Sequence, residues 1–319
     1  MRPTTSGQAT KSGERRVHTL VTGASGFVGR HLVQILRDQG DEVTAWGLGE
    51  VNSGTTAVDM RNMDVVSAQD LRDIEAVIHL AGLAQVSASF GQAAEYVSSN
   101  ATMEINLMES LLAQHSSPRV LIVSTGGVYA GGSALLTETS PTRPANPYVV
   151  SKLTQELLAA YYLERGLDVM IARPFNHIGP GQRPGYLVAD IASQLAALER
   201  NGGGRLSVGD LSTKRDFTDV RDVAAAYLAL ISAGHRGETY NVASGATLSG
   251  EEILHGLLDL VSVPIEVSHS PALRRPTDTI EVRASNEKLR AHTGWKPTIA
   301  LPVTLADTLA YWREHSSEA

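Results

Sequence analysis

The chain has 319 residues, 42% of them hydrophobic, and a net charge of −7 with no dense run of Lys or Arg. That suffices for one large or two modest domains with a sizeable core, and it argues against nucleic acid as a partner. There are no cysteines, which excludes disulfides, Cys-ligated metals and thiol nucleophiles and fits a reducing compartment.

Met1 to Arg16 is polar and lacks an apolar stretch, so residues 1–16 read as a disordered tail rather than a secretory signal. No apolar run is long enough to span a membrane, and the expected location is cytoplasmic. His18 to Thr22 reads as a short buried strand that runs into Gly23-Ala24-Ser25-Gly26-Phe27-Val28-Gly29. A helix follows, with Phe27, Val28, His31, Leu32, Ile35 and Leu36 at helical spacing, and it stops near Gly40. Further strands are expected at Glu42–Trp46, Thr56–Val58, Ala76–Leu80, Arg119–Ser124 and Asp168–Ala172. Helices are expected at Ala94–Gln114 and Ser151–Arg165. Strands alternating with helices predict an α/β fold, a doubly wound parallel sheet of the Rossmann type with right-handed crossovers.

After Arg173 the pattern becomes irregular. Gly179 to Gly185 is rich in Gly and Pro, and Gly202-Gly203-Gly204 marks a turn. A helix near Val220–Ile231 and a strand near Thr239–Val242 predict a return to the sheet. Short elements follow: a helix near Gly250–Leu260, a strand near Ile265–Ser268, and Leu301–Trp312. The expected division is a dinucleotide domain from 17–173 plus about 211–245, and a smaller discontinuous substrate domain from about 174–210 plus 246–319.

Two motifs carry chemistry. Gly23-x-x-Gly26-x-x-Gly29 lies between a strand and a helix, where glycines allow a tight turn and close approach to a pyrophosphate at the helix N-terminus. Ordinary tight turns also use glycines; the strand–turn–helix setting favours dinucleotide binding. The second strand ends Trp46-Gly47-Leu48-Gly49 with no acid placed for an NAD ribose, and Glu50 falls too late. NADP(H) is therefore favoured over NAD(H). Arg30 and Arg61 are candidate phosphate partners, with a solvated arginine as the alternative reading of each. The other motif is Tyr148-x-x-x-Lys152 after Asn146-Pro147, with Ser124-Thr125 one loop upstream. Residues four apart share a helix face, so the Lys152 ammonium is expected near the Tyr148 phenol, lowering its pKa from about 10. A tyrosine so tuned exchanges protons between an alcohol and a ketone.

These segments, together with Asp59-Met60-Arg61, His79-Leu80-Ala81-Gly82, Ser124-Thr125-Gly126-Gly127-Val128-Tyr129, Arg173-Pro174-Phe175-Asn176, Arg215-Asp216-Phe217-Thr218-Asp219-Val220 and Arg275-Pro276-Thr277-Asp278, occur in order from Leu20 to about Pro297. In this series the chain resembles the extended short-chain dehydrogenase/reductase family, in its NAD-dependent epimerase/dehydratase branch that acts on nucleotide sugars. The resemblance implies that the coenzyme rests on Gly23, Ser25, Gly26, Phe27, Val28 and Gly29. Asp59 and Met60 would meet its adenine, and Leu80, Ala81, Gly82 and Pro174 would line it. Asn100 would buttress that side of the sheet. Thr125, Tyr148 and Lys152 would be catalytic: Thr125 at the sugar oxygen, Tyr148 exchanging the proton, Lys152 holding the ribose. Gly126, Asn176, Arg215, Arg275 and Asp278 would face the nucleotide-diphosphate sugar. Paired guanidinium N–H groups suit phosphate oxygens; without the resemblance Arg215 and Arg275 read as surface charges.

The family's members share hydride transfer at the sugar C4. A 4,6-dehydratase needs a further acid and base, which similar proteins carry directly after the catalytic Ser or Thr. Here those positions are Gly126 and Gly127. An epimerase-reductase with a loop cysteine is excluded because the chain has none. A 4-keto reductase or a 4-epimerase remains, with a non-enzymatic dinucleotide-binding protein as a lower alternative. The stretch Ala172 to Gln182, with Tyr186 and Ala189 to Gln194, resembles the reductases of GDP-4-keto-6-deoxy-D-mannose and favours reduction of a GDP-linked sugar, dTDP-linked being the alternative. His177 reads as structural, Trp295 as core, and Asp190 and Gln194 as either base contacts or solvated. A homodimer is expected through a helix bundle, with Leu153, Leu157, Tyr161 and Tyr162 as candidate contacts.

Overall fold

The computed structural model describes residues 16–48, 54–131, 135–270 and 281–315. In chain order the first half is β1 (His18–Thr22), α1 (Phe27–Gln39), β2 (Glu42–Gly47), β3 (Thr56–Ala57), α2 (Met63–Ser67), β4 (Ala76–His79), α3 (Val86–Ser89), α4 (Ala93–Ala113), β5 (Arg119–Val123), α5 (Pro147–Glu164) and β6 (Asp168–Pro174). The second half is β7 (Asn176–Ile178), α6 (Leu187–Arg200), β8 (Gly204–Val208), β9 (Lys214–Asp219), α7 (Val220–Ala233), β10 (Thr239–Val242), β11 (Thr247–Ser249), α8 (Gly250–Leu258), β12 (Ile265–His269), β13 (Glu281–Val282), α9 (Glu287–Thr293) and α10 (Leu301–His315).

Seven parallel strands form the central sheet in the order β3-β2-β1-β4-β5-β6-β10. This is the expected doubly wound sheet. Its inner strands are apolar runs because both faces are covered: Leu20, Val21, Val77, Ile78 and Val120 to Ile122 have no exposed surface. One face packs on Leu32 and Leu36 of α1 and Val223 and Tyr227 of α7. The other packs on Met103, Leu107 and Leu111 of α4 and Ala159 and Tyr162 of α5. Burying a leucine this way contributes about 1.5–3 kcal/mol. The chain leaves β1 for β2 on one side and reaches β4 on the other. That switch opens a crevice at the carboxyl ends of the strands.

Local signals set the helix ends. Gly40 takes φ 82° and its N–H closes on Arg37 O, ending α1 as expected. Asn146 accepts from Val149 N at 2.9 Å and Pro147 occupies the first turn, so α5 begins one turn before the expected Ser151. Tyr148 is thereby on the helix.

The region after Arg173 is more regular than its composition suggests. β9 pairs antiparallel with β11 and parallel with β13 and β7, and β12 pairs with β8. A third core joins α6, α8 and α10 through Leu195, Leu257 and Leu309. Chain-distant pairing of this kind leaves little local trace, which is why β8 and β9 escape a reading by periodicity, whereas the helix expected to carry Asp190 and Gln194 is α6. α7 and β10 do return to the large sheet. Trp295 is core, as expected, and its indole donates to Asp222 O at 3.0 Å. The Asp222 carboxylate accepts from Thr298 N, Ile299 N and Thr298 Oγ1 at 2.9–3.0 Å, clamping the segment before α10 onto α7. Residues 1–15 of the expected tail, and Arg275 and Asp278, lie outside the described residues.

Asp222→Ala takes the acceptor from two part-buried N–H groups and a hydroxyl, so it should destabilise the fold by about 1 kcal/mol. Denaturant unfolding checks this; an unchanged midpoint would show the clamp to be dispensable.

Candidate active site

The glycine loop is built on contacts that admit no side chain. Gly23 has φ 68°, and a Cβ there would sit 2.8 Å from the backbone of Leu80 and Ala81, which follow β4. A Cβ on Gly29 would lie 2.3 Å from Gly23 O. The loop therefore lies flat against α1, with Gly26 N–H donating to Gly23 O at 2.9 Å. The helix cap, Gly26, makes no side-chain cap bond, so the first N–H groups of α1 are left to face the crevice. Such an end suits a pyrophosphate, and the residues present fit a dinucleotide.

The crevice holds about 1950 Å³ and runs over Gly23, Ser25, Gly26, Phe27, Val28 and Gly29 to Leu80, Ala81 and Gly82, then to Thr125, Gly126, Tyr148, Lys152 and Pro174, and on to Asn176 and Arg215. That exceeds the roughly 300–1,000 Å³ of a site for one small ligand and accommodates a dinucleotide beside a second nucleotide. Met60 also lines it, but Asp59 does not: its carboxylate is held by Arg61 Nε and Nη2 at 2.9 Å. That hydrogen-bonded guanidinium holds the carboxyl below its usual range. Arg30 donates to Gly181 O. Asn100 stands behind the wall, fully buried. Its amide binds Leu83 N, Leu83 O and Ser151 Oγ at 2.7–3.1 Å, joining the loop after β4 to α5.

Thr125 follows β5, and its Oγ1 accepts from Gly127 N at 3.1 Å, capping the short turn Gly126–Val128. The Thr125 hydroxyl lies close enough to the Tyr148 phenol to draw its pKa down. Burial outweighs that pull and pushes the phenol up to about 12, which corrects the expectation that Lys152 lowers it. The cause is the lysine's reach: Cβ atoms four apart share a face, but a buried ammonium needs acceptors. Nζ of Lys152 finds Val123 O at 2.8 Å and Gln155 Oε1 at 3.0 Å. Burial pulls that ammonium down to about 8, opposed by Glu104 and Glu156.

Gly126 is buried, and a Cβ there would press to 2.9 Å on the Phe175 ring. Asn176 is exposed at the start of β7. Arg215 on β9 donates to Lys214 O, and burial lowers its guanidinium from the ordinary value. His177 bonds Phe175 O at 3.0 Å and stacks on Phe27 with centroids 5.9 Å apart, so it joins the loop before β7 to α1. Burial lowers its pKa as well. Asp190 accepts from Gly185 N at 2.6 Å, Gln194 donates to Asp190 O, and both line the crevice. Among the described residues no group of three His, Asp or Glu is placed to hold a metal.

Motif reading missed the polar groups beneath the site. Gln155 seats Lys152. Glu156 accepts from Arg173 Nε and Nη2 at 2.9 and 2.7 Å and from Ser124 Oγ at 2.5 Å. The one signal available was spacing, since Glu156 follows Lys152 by four.

Residues 19–243 match the NAD dependent epimerase/dehydratase family, and the chain belongs to it. It is 37% identical to the GDP-6-deoxy-D-mannose reductase of Pseudomonas aeruginosa, over 93% of this chain and 98% of that protein. It superposes on the structure of RMD from Pseudomonas aeruginosa complexed with NADPH with a TM-score of 0.82 and 35% identity, covering 94% of this chain and 100% of that one. A UDP-glucose 4-epimerase from Lacticaseibacillus casei is 29% identical, over 93% of this chain and 97% of that protein.

Gly29→Ala should weaken nicotinamide-dinucleotide binding by at least about tenfold, or 1.4 kcal/mol, because the added methyl must displace backbone. Coenzyme titration checks this; wild-type affinity would remove the loop as the cradle.

Proposed function

We propose that the chain reduces the C4 ketone of a nucleotide-diphospho-4-keto-6-deoxyhexose, GDP-linked in preference to dTDP-linked, to the corresponding 6-deoxyhexose. The observation that carries the reading is the pair Gly126-Gly127 directly after Thr125, with Gly126 closed against Phe175. No side chain there can act at C5 or C6, so the proton chemistry at the sugar falls to Tyr148. Similarity to a GDP-6-deoxy-D-mannose reductase supports the same reading.

A nicotinamide dinucleotide bound along the glycine loop supplies the hydride. Tyr148 gives its proton to the C4 oxygen as the C–H bond forms. Its phenol, high at about 12, is fully protonated at neutral pH and so is ready to act as the acid. Thr125 has its oxygen held by Gly127 N–H and directs its hydroxyl at the reacting oxygen. Lys152 places a positive charge behind the tyrosine that has lost its proton. Arg215 and Asn176 face the diphosphate and sugar, with Arg275 and Asp278 assigned there from sequence. Holding both reactants in one geometry supplies much of the rate. NADPH is the favoured coenzyme: β2 ends without an acid, and the similar reductase structure is a complex with NADPH.

The same proposal includes the division into a coenzyme domain (17–173 plus 211–245) and a sugar-nucleotide domain (174–210 plus 246–319), a cytoplasmic location and a homodimer. Leu157 and Tyr161 on α5 are 73% and 54% exposed, which supports pairing through that helix. Tyr162 is buried instead, its hydroxyl donating to Glu109 at 2.9 Å. No helix among the described residues is long and apolar enough to cross a membrane.

Purified protein mixed with GDP- or dTDP-4-keto-6-deoxyhexose should oxidise NADPH and yield the 6-deoxyhexose by NMR. No oxidation with either sugar and either coenzyme would sink the reading, and turnover without added coenzyme would favour the epimerase. Tyr148→Phe should lower kcat by about 10²–10⁴ while coenzyme still binds; an unchanged rate would remove Tyr148 as the acid.

A further inference from the structure

Buried polar groups in a folded chain find partners, and the exceptions point to what is missing. Among the described residues, two buried side chains with an unpartnered polar atom line the crevice: Gln182 through Oε1 and Tyr227 through its hydroxyl. Tyr227 has no exposed surface and packs in the core shared by α1 and α7, so no ligand meets its oxygen unless the wall moves. Gln182 keeps 5% exposure. It stands in the loop between β7 and α6, which borders the crevice at His177, Ile178, Arg183 and Pro184.

The amide of Gln182 is held in one orientation. Its Nε2 donates to His177 O at 2.9 Å. A carbonyl only accepts, so the reversed amide would set two oxygens against each other, and Oε1 is the atom left free. The loop around it is fastened on both sides. Pro180 O accepts from His31 Nε2 and Gly181 O from Arg30 Nη2, each at 2.9 Å, and the His177 ring stacks on Phe27. Those partners sit in the first two turns of α1, beside the glycine cradle. Gly179 abuts α7, where a Cβ would lie 2.7 Å from Val220 Cγ1. Gln182 is thus an acceptor built into the crevice wall with no donor of its own. Neither a diphosphate nor a ketone has a proton to give it at neutral pH. A ring hydroxyl of a ribose or a hexose does.

We propose that Gln182 recognises a ligand hydroxyl: Oε1 accepts a hydrogen bond from a sugar ring that enters the crevice, supplied by the coenzyme or by the nucleotide sugar. His177 O orients the amide from behind, so the contact ties the loop before α6 to the ligand through one residue. A wall acceptor of this kind favours a ligand that carries the hydroxyl over one that lacks it, because the second leaves Oε1 buried and unmet. The role presupposes that sugar-bearing ligands fill the crevice, as the reductase reading has it. Its test reads binding rather than turnover, so the two fail separately.

Gln182→Met keeps the bulk and removes the acceptor. The folded variant is titrated with NADPH, with a GDP-linked 6-deoxyhexose and with GDP alone. Affinity should fall about tenfold for the ligand that supplies the hydroxyl and stay within about twofold for the rest. Loss confined to NADPH assigns the coenzyme ribose. Loss confined to the GDP-sugar assigns the hexose, and loss shared by GDP and the GDP-sugar assigns the nucleotide ribose. Unchanged affinity for all three overturns the proposal and leaves water as the donor. Loss spread over both the coenzyme and the sugar nucleotide overturns it too, as the mark of a displaced wall. In the wild-type protein, backbone amide exchange from Gly179 to Gly185 should slow when the hydroxyl-bearing ligand is added, whether or not the methionine variant folds. No slowing with any of the three ligands would overturn the proposal.

Discussion

The Lys152 ammonium is the constraint around which the site is arranged. Removing a charge from water costs several kcal/mol unless its donors are met, and Lys152 is only 6% exposed. Val123 O and Gln155 Oε1 meet two of them. Gln155 must then orient its amide, and it does so on Asn100 O. Asn100 in turn closes on Leu83 and Ser151, and the Ser151 hydroxyl donates to Tyr148 O. One buried charge thus commits the ends of β4 and β5 and the facing sides of α4 and α5 to a single register. The rigid wall of the crevice, with Gly82 close on Asn100 Oδ1 at 3.2 Å from a notional Cβ, follows from that commitment.

A second buried charge braces the same helix from below. Tyr148, Lys152 and Glu156 recur at four-residue intervals on α5, and Glu156 takes a two-pronged contact from Arg173 of β6. Arg173 also donates to Tyr129 OH at 3.0 Å, and Tyr129 to Asn241 of β10 at 2.5 Å. Separating such a pair leaves a buried charge uncompensated, at a cost of about 3–5 kcal/mol. The pair itself adds little net stability over apolar packing. Its effect is to set the strand ends that carry Ser124, Thr125 and Pro174 against α5, so that the tyrosine and the threonine meet.

What could be read from sequence follows the range of each interaction. The glycine loop, α1 and α5 are written in contiguous residues: Gly23, Gly26 and Gly29 at fixed spacing, a cap at Asn146, a proline at the first turn. So are the inner strands of the central sheet, such as β4 and β5, each a short apolar run. The pairing of β9 with β7, β11 and β13 joins segments far apart in the chain, and no local pattern announces it. The same holds within the site. Tyr148, Lys152 and Thr125 stand in recognisable order, but the direction taken by the Lys152 side chain depends on Val123 and Gln155, and the pKa of Tyr148 on burial. Spacing placed the two residues on one face and could not say that the ammonium turns away from the phenol.

Space and protons then limit the chemistry together. Thr125 and Tyr148 present hydroxyls to the crevice, while Gly126 is held without a side chain by the Phe175 ring, itself buried between Tyr129 and the loop. A side chain at position 126 would have to displace that ring, and position 127 is a second glycine. The phenol, raised by burial, keeps its proton at neutral pH, so it starts in the acid form that a developing C4 alkoxide requires. An enzyme that must oxidise C4 before reducing it needs the tyrosine in both forms. One that only reduces needs the acid form first and a nearby positive charge afterwards. The described arrangement, a protonated Tyr148 backed by a caged Lys152, matches the second demand.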